Sequence, residues 1–283
     1  MMITALLGDY PGTREMKDGL GFGAECSFLP GRPVKHFRAF IERLHIHIAE
    51  APIMTVLMAH ERAVPLALLP VVVLGGTQHR FLYSLTDGPI RHPRDLVGKR
   101  IGVRAYTVTT VVWLRDILEQ DYGIARDAIT WVVFEPPHVD GFVNPDNVVQ
   151  APPGANAEDM LRDGLLDAAI LRADPVGDDV SPVIKAYEQA GDAWRQKHDA
   201  LQINHVMTVP RAFAQQRPDL VAQFMQGLES SVARAEETPG EETLIGRDAV
   251  DRSLELAVAC ARRQGIITAT PDLEELYRGN GLM

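Results

Sequence analysis

Two α/β lobes, the second inserted into the first, are what this 283-residue sequence predicts. Three observations lead there. Apolar strand-like runs alternate with segments of helical period from the N-terminus to about residue 171, the signature of βαβ units and a mostly parallel sheet. The stretch from Pro93 to Ile124 reads as strand, polar turn and helix and opens a second such unit near Pro89. After Pro182 the pattern becomes mainly helical, and from Pro218 onward almost wholly so. The length suits about two domains. Chain crossings are expected near Thr86–Pro89 and Gln202–His205, so that residues 1–86 with 204–283 form one lobe and residues 88–202 the other.

Element by element, Ile3–Leu7 is an apolar strand. Lys35–Leu44 is a helix, and His45–Ala49 an alternating strand. Met54–His60 is a short helix with Pro52 in its first turn, where proline is tolerated. Leu66–Leu74 is a continuous apolar run typical of a buried strand, and Arg80–Ser84 a further short one. In the second unit the strands are Lys99–Val103, Ile129–Phe134 and Ala168–Leu171, the last delivering Arg172 and Asp174 to a sheet edge. Ala157–Asp163 is a helix stopped by Gly164, and residues Glu135 to Gly154, rich in Pro, Gly and Asn, carry little structure. Ile184–Lys197 is helical and His205–Val209 a strand. Arg211–Glu237 and Asp248–Gln264 are helices, the latter ended by Gly265.

A hydrophobic content of 46% with 23% charged residues is that of an ordinary soluble domain. The net charge of −10, with no basic run to offset it, argues against nucleic acid as a partner. No segment is long and apolar enough to span a bilayer, so no membrane partner is expected. Met1 to Leu7 lacks a basic n-region and runs straight into Gly8-Asp9-Tyr10, so it reads as a first strand and not as a signal peptide. Cys26 and Cys260 match no metal-ligand spacing, and a reduced, cytoplasmic protein is expected.

The turn Arg104-Ala105-Tyr106-Thr107, between a strand and the helix that starts near Thr109-Thr110, places free N–H groups and two hydroxyls at the positive end of a helix dipole. Such a start receives a carboxylate or other anion. It lacks the glycines of a phosphate loop. A well-capped crossover helix with no ligand explains the same residues, since Ser/Thr caps are common.

Four blocks together resemble one family: GDYPGTREMKDG, IRHPRDLVGKRIGVRAYTVTTVVWLRDILEQDYGI, MLRDGLLDAAI and INHVMTVPRAF. They are similar to 4,5-dihydroxyphthalate decarboxylase and its relatives, over most of the chain. The middle block is the most specific of the four. Gln78 stands where that family tends to carry an arginine, and Ala105 where it carries an acidic residue. The resemblance implies an α/β, two-lobed type II periplasmic-binding-protein-like fold, with a ligand cleft between the lobes at the carboxyl ends of the strands.

That cleft is expected to receive Asp9 and Tyr10 after the first strand, Glu50 after the strand His45–Ala49, and Gln78 and His79 from the Gly75-Gly76 turn. Tyr106, Thr109 and Thr110 are expected there from the inserted lobe, with His205 at the second crossing. Arg115, six residues past Thr109, either pairs bidentately with a carboxylate or lies on a solvated helix face. Asp9 either binds a phenolic hydroxyl or caps the turn Asp-Tyr-Pro-Gly. His79 and His205 are the candidate proton donors, each with a plain structural alternative. His45 and His47 have no third ligand nearby, so no metal is expected.

The implied reaction is decarboxylation of a hydroxylated aromatic acid without a cofactor. A hydroxyl ortho or para to the leaving carboxylate enriches the carbon to be protonated, and loss of CO2 restores aromaticity. The expected partner is a small aromatic carboxylate, and homo-oligomerisation is left open. A non-catalytic carboxylate-binding protein and a chorismate-dehydratase-like lyase are the alternatives on the same fold.

Overall fold

The computed structural model describes residues 2–19, 26–171, 177–236 and 241–282. They divide into two compact units, Met1–Gly76 with Ala200–Met283, and Thr77–Asp199. The chain enters the first unit with strands β1 (Ile3–Leu6), β2 (Cys26–Phe28), β3 (Ile48–Pro52) and β4 (Leu66–Gly75). The second unit holds β5 (Leu82–Leu85), β6 (Arg100–Val103), β7 (Thr130–Val133), β8 (Val148–Gln150), β9 (Ala168–Ile170) and β10 (Val180–Pro182). β11 (Ile203–Pro210) and β12 (Glu242–Ile245) return to the first unit.

Each unit is built on its own six-stranded sheet, in the orders β12-β4-β11-β3-β1-β2 and β10-β5-β9-β6-β7-β8. The sheets are mixed, which corrects the mostly parallel expectation. β1 with β2 and β3, and β6 with β7 and β9, pair in parallel. β11 runs antiparallel to both β3 and β4, and β5 antiparallel to β9 and β10. This sense places the start of β11 beside the carboxyl end of β3, with His205 opposite Pro52 and Met207 opposite Glu50.

The first crossing falls at Gly76–Thr77, upstream of the expected Thr86–Pro89, because β5 hydrogen-bonds into the second sheet and adds nothing to β4. Gly76 has φ 137, a backbone conformation that side chains disfavour, and its N–H donates to the Gln202 carbonyl at 3.2 Å. Residues 77–86 thus belong to the second unit, and the return lies at Asp199–Ala200.

Several elements shift from their expected bounds for identifiable reasons. The third strand starts at Ile48 and not at His45. Leu44 ends the helix Phe37–Arg43 in the left-handed region, and β3 takes its register from β1, with Ala5 opposite Ile48. Glu50 consequently lies inside the strand and Pro52 closes it. The run expected as one helix over 211–237 breaks at Arg217, which leaves the helical region (φ −137, ψ 56) before Pro218, into Arg211–Gln216 and Pro218–Val232. The late region is not wholly helical, since β12 adds an edge strand to β4. Arg172 and Asp174 lie outside the described residues.

One core of the first unit packs the face of β1, β4 and β11 under Phe213, Leu220, Phe224 and Leu228 of the two helices after β11. In the second unit the helix Thr109–Tyr122 is buried along its first ten residues, Thr109 to Leu118, and ends at Gly123 in the left-handed conformation. Trp113 on it meets the edge of Trp194 at 5.8 Å between ring centroids.

Candidate functional site

In the first unit, three side chains from separate segments meet. Glu50, inside β3, is fully buried, and its carboxylate has three donors. The Gly8 N–H reaches Oε2 at 2.5 Å, the Tyr10 hydroxyl reaches Oε1 at 2.6 Å, and His205 Nδ1 also contacts Oε1. Tyr10 Oη stands 3.4 Å from the same imidazole nitrogen. A buried carboxylate is tolerated only when its lone pairs are taken in this way. The Phe37 ring packs edge-on to His205 at 5.2 Å, so the imidazole is fixed on one side by carboxylate and on another by an apolar wall.

The turn after β1 explains how Tyr10 gets there. Thr13 is fully buried, and its hydroxyl donates to the Gly8 carbonyl at 2.8 Å while accepting from the Tyr10 N–H at 2.9 Å. The Tyr10 ring folds back over Gly8, where any Cβ would stand 2.4 Å from Cζ. Glycine at this position is what lets the tyrosine reach Glu50. With Nδ1 committed to Glu50, the His205 ring nitrogen not engaged by that carboxylate is Nε2.

The second unit carries its own cluster. Thr110 Oγ1 donates to Gln78 Oε1 at 2.9 Å, tying the helix start to the segment after the crossing. Arg115 is buried, stacks its guanidinium 3.6 Å from the Tyr106 ring centroid, and donates from Nη1 to the Tyr106 carbonyl at 2.8 Å. Next to Gln78, His79 is buried in a short 3-10 turn, and its Nδ1 makes no hydrogen bond among the described residues.

Desolvation pulls the His79 imidazole from the usual 6.5 down to about 4, against a weaker upward pull from the Asp121 carboxylate. His79 is therefore neutral near pH 7, a hydrogen-bonding group and a poor proton donor. Because the fold depresses this pKa, the unfolded chain takes up the proton first, and stability falls as the pH drops through the interval from 6.5 to about 4. Between pH 7.5 and 4.5 the loss from this one group is expected to be about 2–3 kcal/mol. Urea unfolding of wild type and His79→Gln at both pH values checks it: the variant's pH-dependent loss should be smaller by that amount. Equal losses would mean that His79 is not held neutral.

Of the residues expected at the site, the structure joins Tyr10, Glu50 and His205 in one unit, and Gln78 with Thr110 and Tyr106 with Arg115 in the other. Thr109 is buried at the first helical position, after Val108. Asp9 is exposed, 3.5 Å from Arg14, and the turn is held by Thr13 instead. Phe37 is a site residue that only tertiary contact reveals, and Thr13 one that acts through the local turn, by its bonds to Gly8 and Tyr10. His47 accepts from the Thr4 N–H at 2.9 Å. Among the described residues no three His, Cys, Asp or Glu side chains stand together as metal ligands, and no helix is long and apolar enough to cross a membrane.

Comparison with known proteins places the fold. Against the periplasmic aliphatic sulphonate binding protein SsuA of Escherichia coli the TM-score is 0.58 at 11% identity, over 100% of this chain and 99% of that one. The desulfurization enzyme DszB, as a C27S mutant in complex with biphenyl-2-sulfinic acid, gives 0.64 at 16% identity, over 99% and 97%. The fold is that of the periplasmic binding proteins.

No protein-family model matches the chain. Two curated relatives do. The 4,5-dihydroxyphthalate decarboxylase of Comamonas testosteroni is 32% identical over 183 residues, 60% of this chain and 56% of the relative. That of Pseudomonas putida is 35% identical over 113 residues, 38% and 44%. The chain spans about half the length of the curated relatives it matches.

Proposed function

We propose that this protein is a cofactor-independent decarboxylase of a hydroxylated aromatic carboxylic acid of the 4,5-dihydroxyphthalate kind, with His205 as proton donor. The fold does not choose between enzyme and binding protein, since SsuA is a sulphonate-binding protein and DszB an enzyme. The observation that carries the reading is the buried Glu50 carboxylate bound to Gly8 N–H, Tyr10 hydroxyl and His205 together. A structural histidine needs one partner. An imidazole whose Nδ1 is held by a buried carboxylate is fixed in orientation and keeps its other nitrogen for proton transfer. The names of the two curated relatives supply the reaction class.

In this mechanism a hydroxyl ortho or para to the carboxylate pushes electron density onto the ring carbon that bears it. His205 Nε2–H delivers a proton to that carbon, and the imidazolium's charge moves to the dearomatised ring. The C–COO bond then breaks, its electron pair restores the aromatic ring, and CO2 leaves. Neutral His205 takes a proton from water, so the net change is ArCOO⁻ plus H⁺ to ArH plus CO2. Glu50 acts through His205, holding the tautomer and stabilising the imidazolium, and Tyr10 holds Glu50.

The test is incubation with a panel of dihydroxybenzoates and dihydroxyphthalates, with benzoate and phthalate alongside, following CO2 release and loss of the substrate's ultraviolet band. Turnover of at least one hydroxylated member, with none of the unhydroxylated parents, is expected. Tight binding of an aromatic acid without any CO2 would move the non-catalytic binding protein ahead.

A further inference from the structure

Two of the three donors on Glu50, the Gly8 N–H and the Tyr10 hydroxyl, come from one turn, and a single hydroxyl sets the shape of that turn. Thr13 is fully buried, and its Oγ1 joins the Gly8 carbonyl at 2.8 Å to the Tyr10 N–H at 2.9 Å. The Tyr10 carbonyl accepts in turn from the Thr13 and Arg14 N–H groups at 3.0 and 3.1 Å, so the turn closes on itself. Without the hydroxyl, two buried backbone groups lose a partner at once. The turn then relaxes, and both donors move with it.

The turn is also backed from behind, by the far end of the chain. A Cβ on Gly12 would stand 2.9 Å from Thr243 Oγ1 and 3.1 Å from Val232 Cγ2. Thr243 lies in the edge strand β12, and its hydroxyl donates to the Val73 carbonyl of β4 at 3.3 Å. A β-branched side chain tied down in this way is a firm stop. Just past the turn, the Met16 N–H donates at 3.3 Å to the hydroxyl of fully buried Ser231, near the end of the helix Pro218–Val232. Relaxation of the turn is therefore blocked on the side of β12.

We infer that Thr13 is a positioning residue of the Glu50–His205 pair, with Thr243 as its backstop. It aims the Gly8 N–H and the Tyr10 hydroxyl at Glu50 together, and so fixes the carboxylate that orients His205. The inference rests on the reading of Glu50 and His205 as the catalytic pair. Neither threonine takes part in the chemistry.

The experiment joins proton NMR of the ¹⁵N-labelled protein to steady-state kinetics with 4,5-dihydroxyphthalate. The signal followed is the downfield His205 Nδ1 proton, assigned by its loss in His205→Asn. Thr13→Val is expected to shift or broaden this signal and to lower kcat about tenfold or more, with KM within a few-fold, as misplacement of a catalytic group does. Thr13→Ser should return both readings close to wild type. In a Tyr10→Phe background Thr13→Val should cost less, because part of what it positions is already gone. Gly12→Ala should act like Thr13→Val, and adding Thr243→Ala should relieve it in part. Thermal unfolding of each variant reports folding. An unchanged signal and kcat in folded Thr13→Val, or an equal cost with and without the Tyr10 hydroxyl, would overturn the inference. Failure of both Thr13→Val and Gly12→Ala to fold would also overturn it, by making the turn a folding element. A signal that responds as expected in a protein that decarboxylates no hydroxylated acid would leave the positioning role standing and sink the decarboxylase reading alone.

Discussion

Replacing His205 by asparagine is expected to lower kcat about 10²–10⁴-fold, while affinity for an unreactive ligand stays within a few-fold. The carboxamide of asparagine donates a hydrogen bond to Glu50 much as Nδ1 does, so the buried carboxylate is not stranded. What disappears is the second nitrogen, the one that carries the proton. Steady-state kinetics and calorimetry on the same preparation separate the two effects. Wild-type kcat in the folded variant would remove His205 from the chemistry.

Glu50→Gln is the second large effect, and it reaches stability as well as rate. Glu50 is fully buried and surrounded by donors from Gly8, Tyr10 and His205. An amide keeps one acceptor oxygen and turns the other end into a donor that faces a donor. A cost of about 1–3 kcal/mol in folding stability is expected from the mismatch. His205 also loses the carboxylate that holds its tautomer and orientation, so kcat should fall about 10²–10⁴-fold, of the order seen when an acid–histidine pair is broken isosterically elsewhere. Tyr10→Phe, which removes only one of the three bonds, should have a smaller effect on both quantities. Chemical denaturation and kcat are read together. A variant that loses stability yet keeps wild-type kcat would make Glu50 a structural group only.

Much of this arrangement was legible beforehand, for physical reasons. β4 is a long apolar run, and the helix Thr109–Tyr122 is framed by a β-branched strand and a terminating glycine. Such local signals survive without tertiary context. Glu50 was expected just past its strand and lies within it, because His45 and His47 mimic strand alternation while the register is set by pairing with β1. The mixed sheets were hidden because the sense of β11 follows from where the chain crosses, and that crossing depends on which sheet β5 joins. β12 was missed as four half-exposed residues on an edge, too short to show a period. Its spacing offers Arg115 a carboxylate partner or a solvated face, yet its guanidinium lies against Tyr106 inside the second unit. Sequence cannot say which face of a helix is buried when almost every face is. Thr13 and Phe37 act only through residues distant in sequence or folded back upon them.

Catalysis in this mechanism turns on proton delivery to the ring carbon that loses CO2. Incubation of the protein with 4,5-dihydroxyphthalate in D2O, followed by mass spectrometry and proton NMR of the products, tests it most directly. The predicted result is one CO2 per substrate consumed and one deuterium in the aromatic product, at the carbon that bore the lost carboxylate, with formation slowed in the His205→Asn variant. Recovery of the substrate undeuterated and unconsumed, while it binds to the protein, would contradict the account.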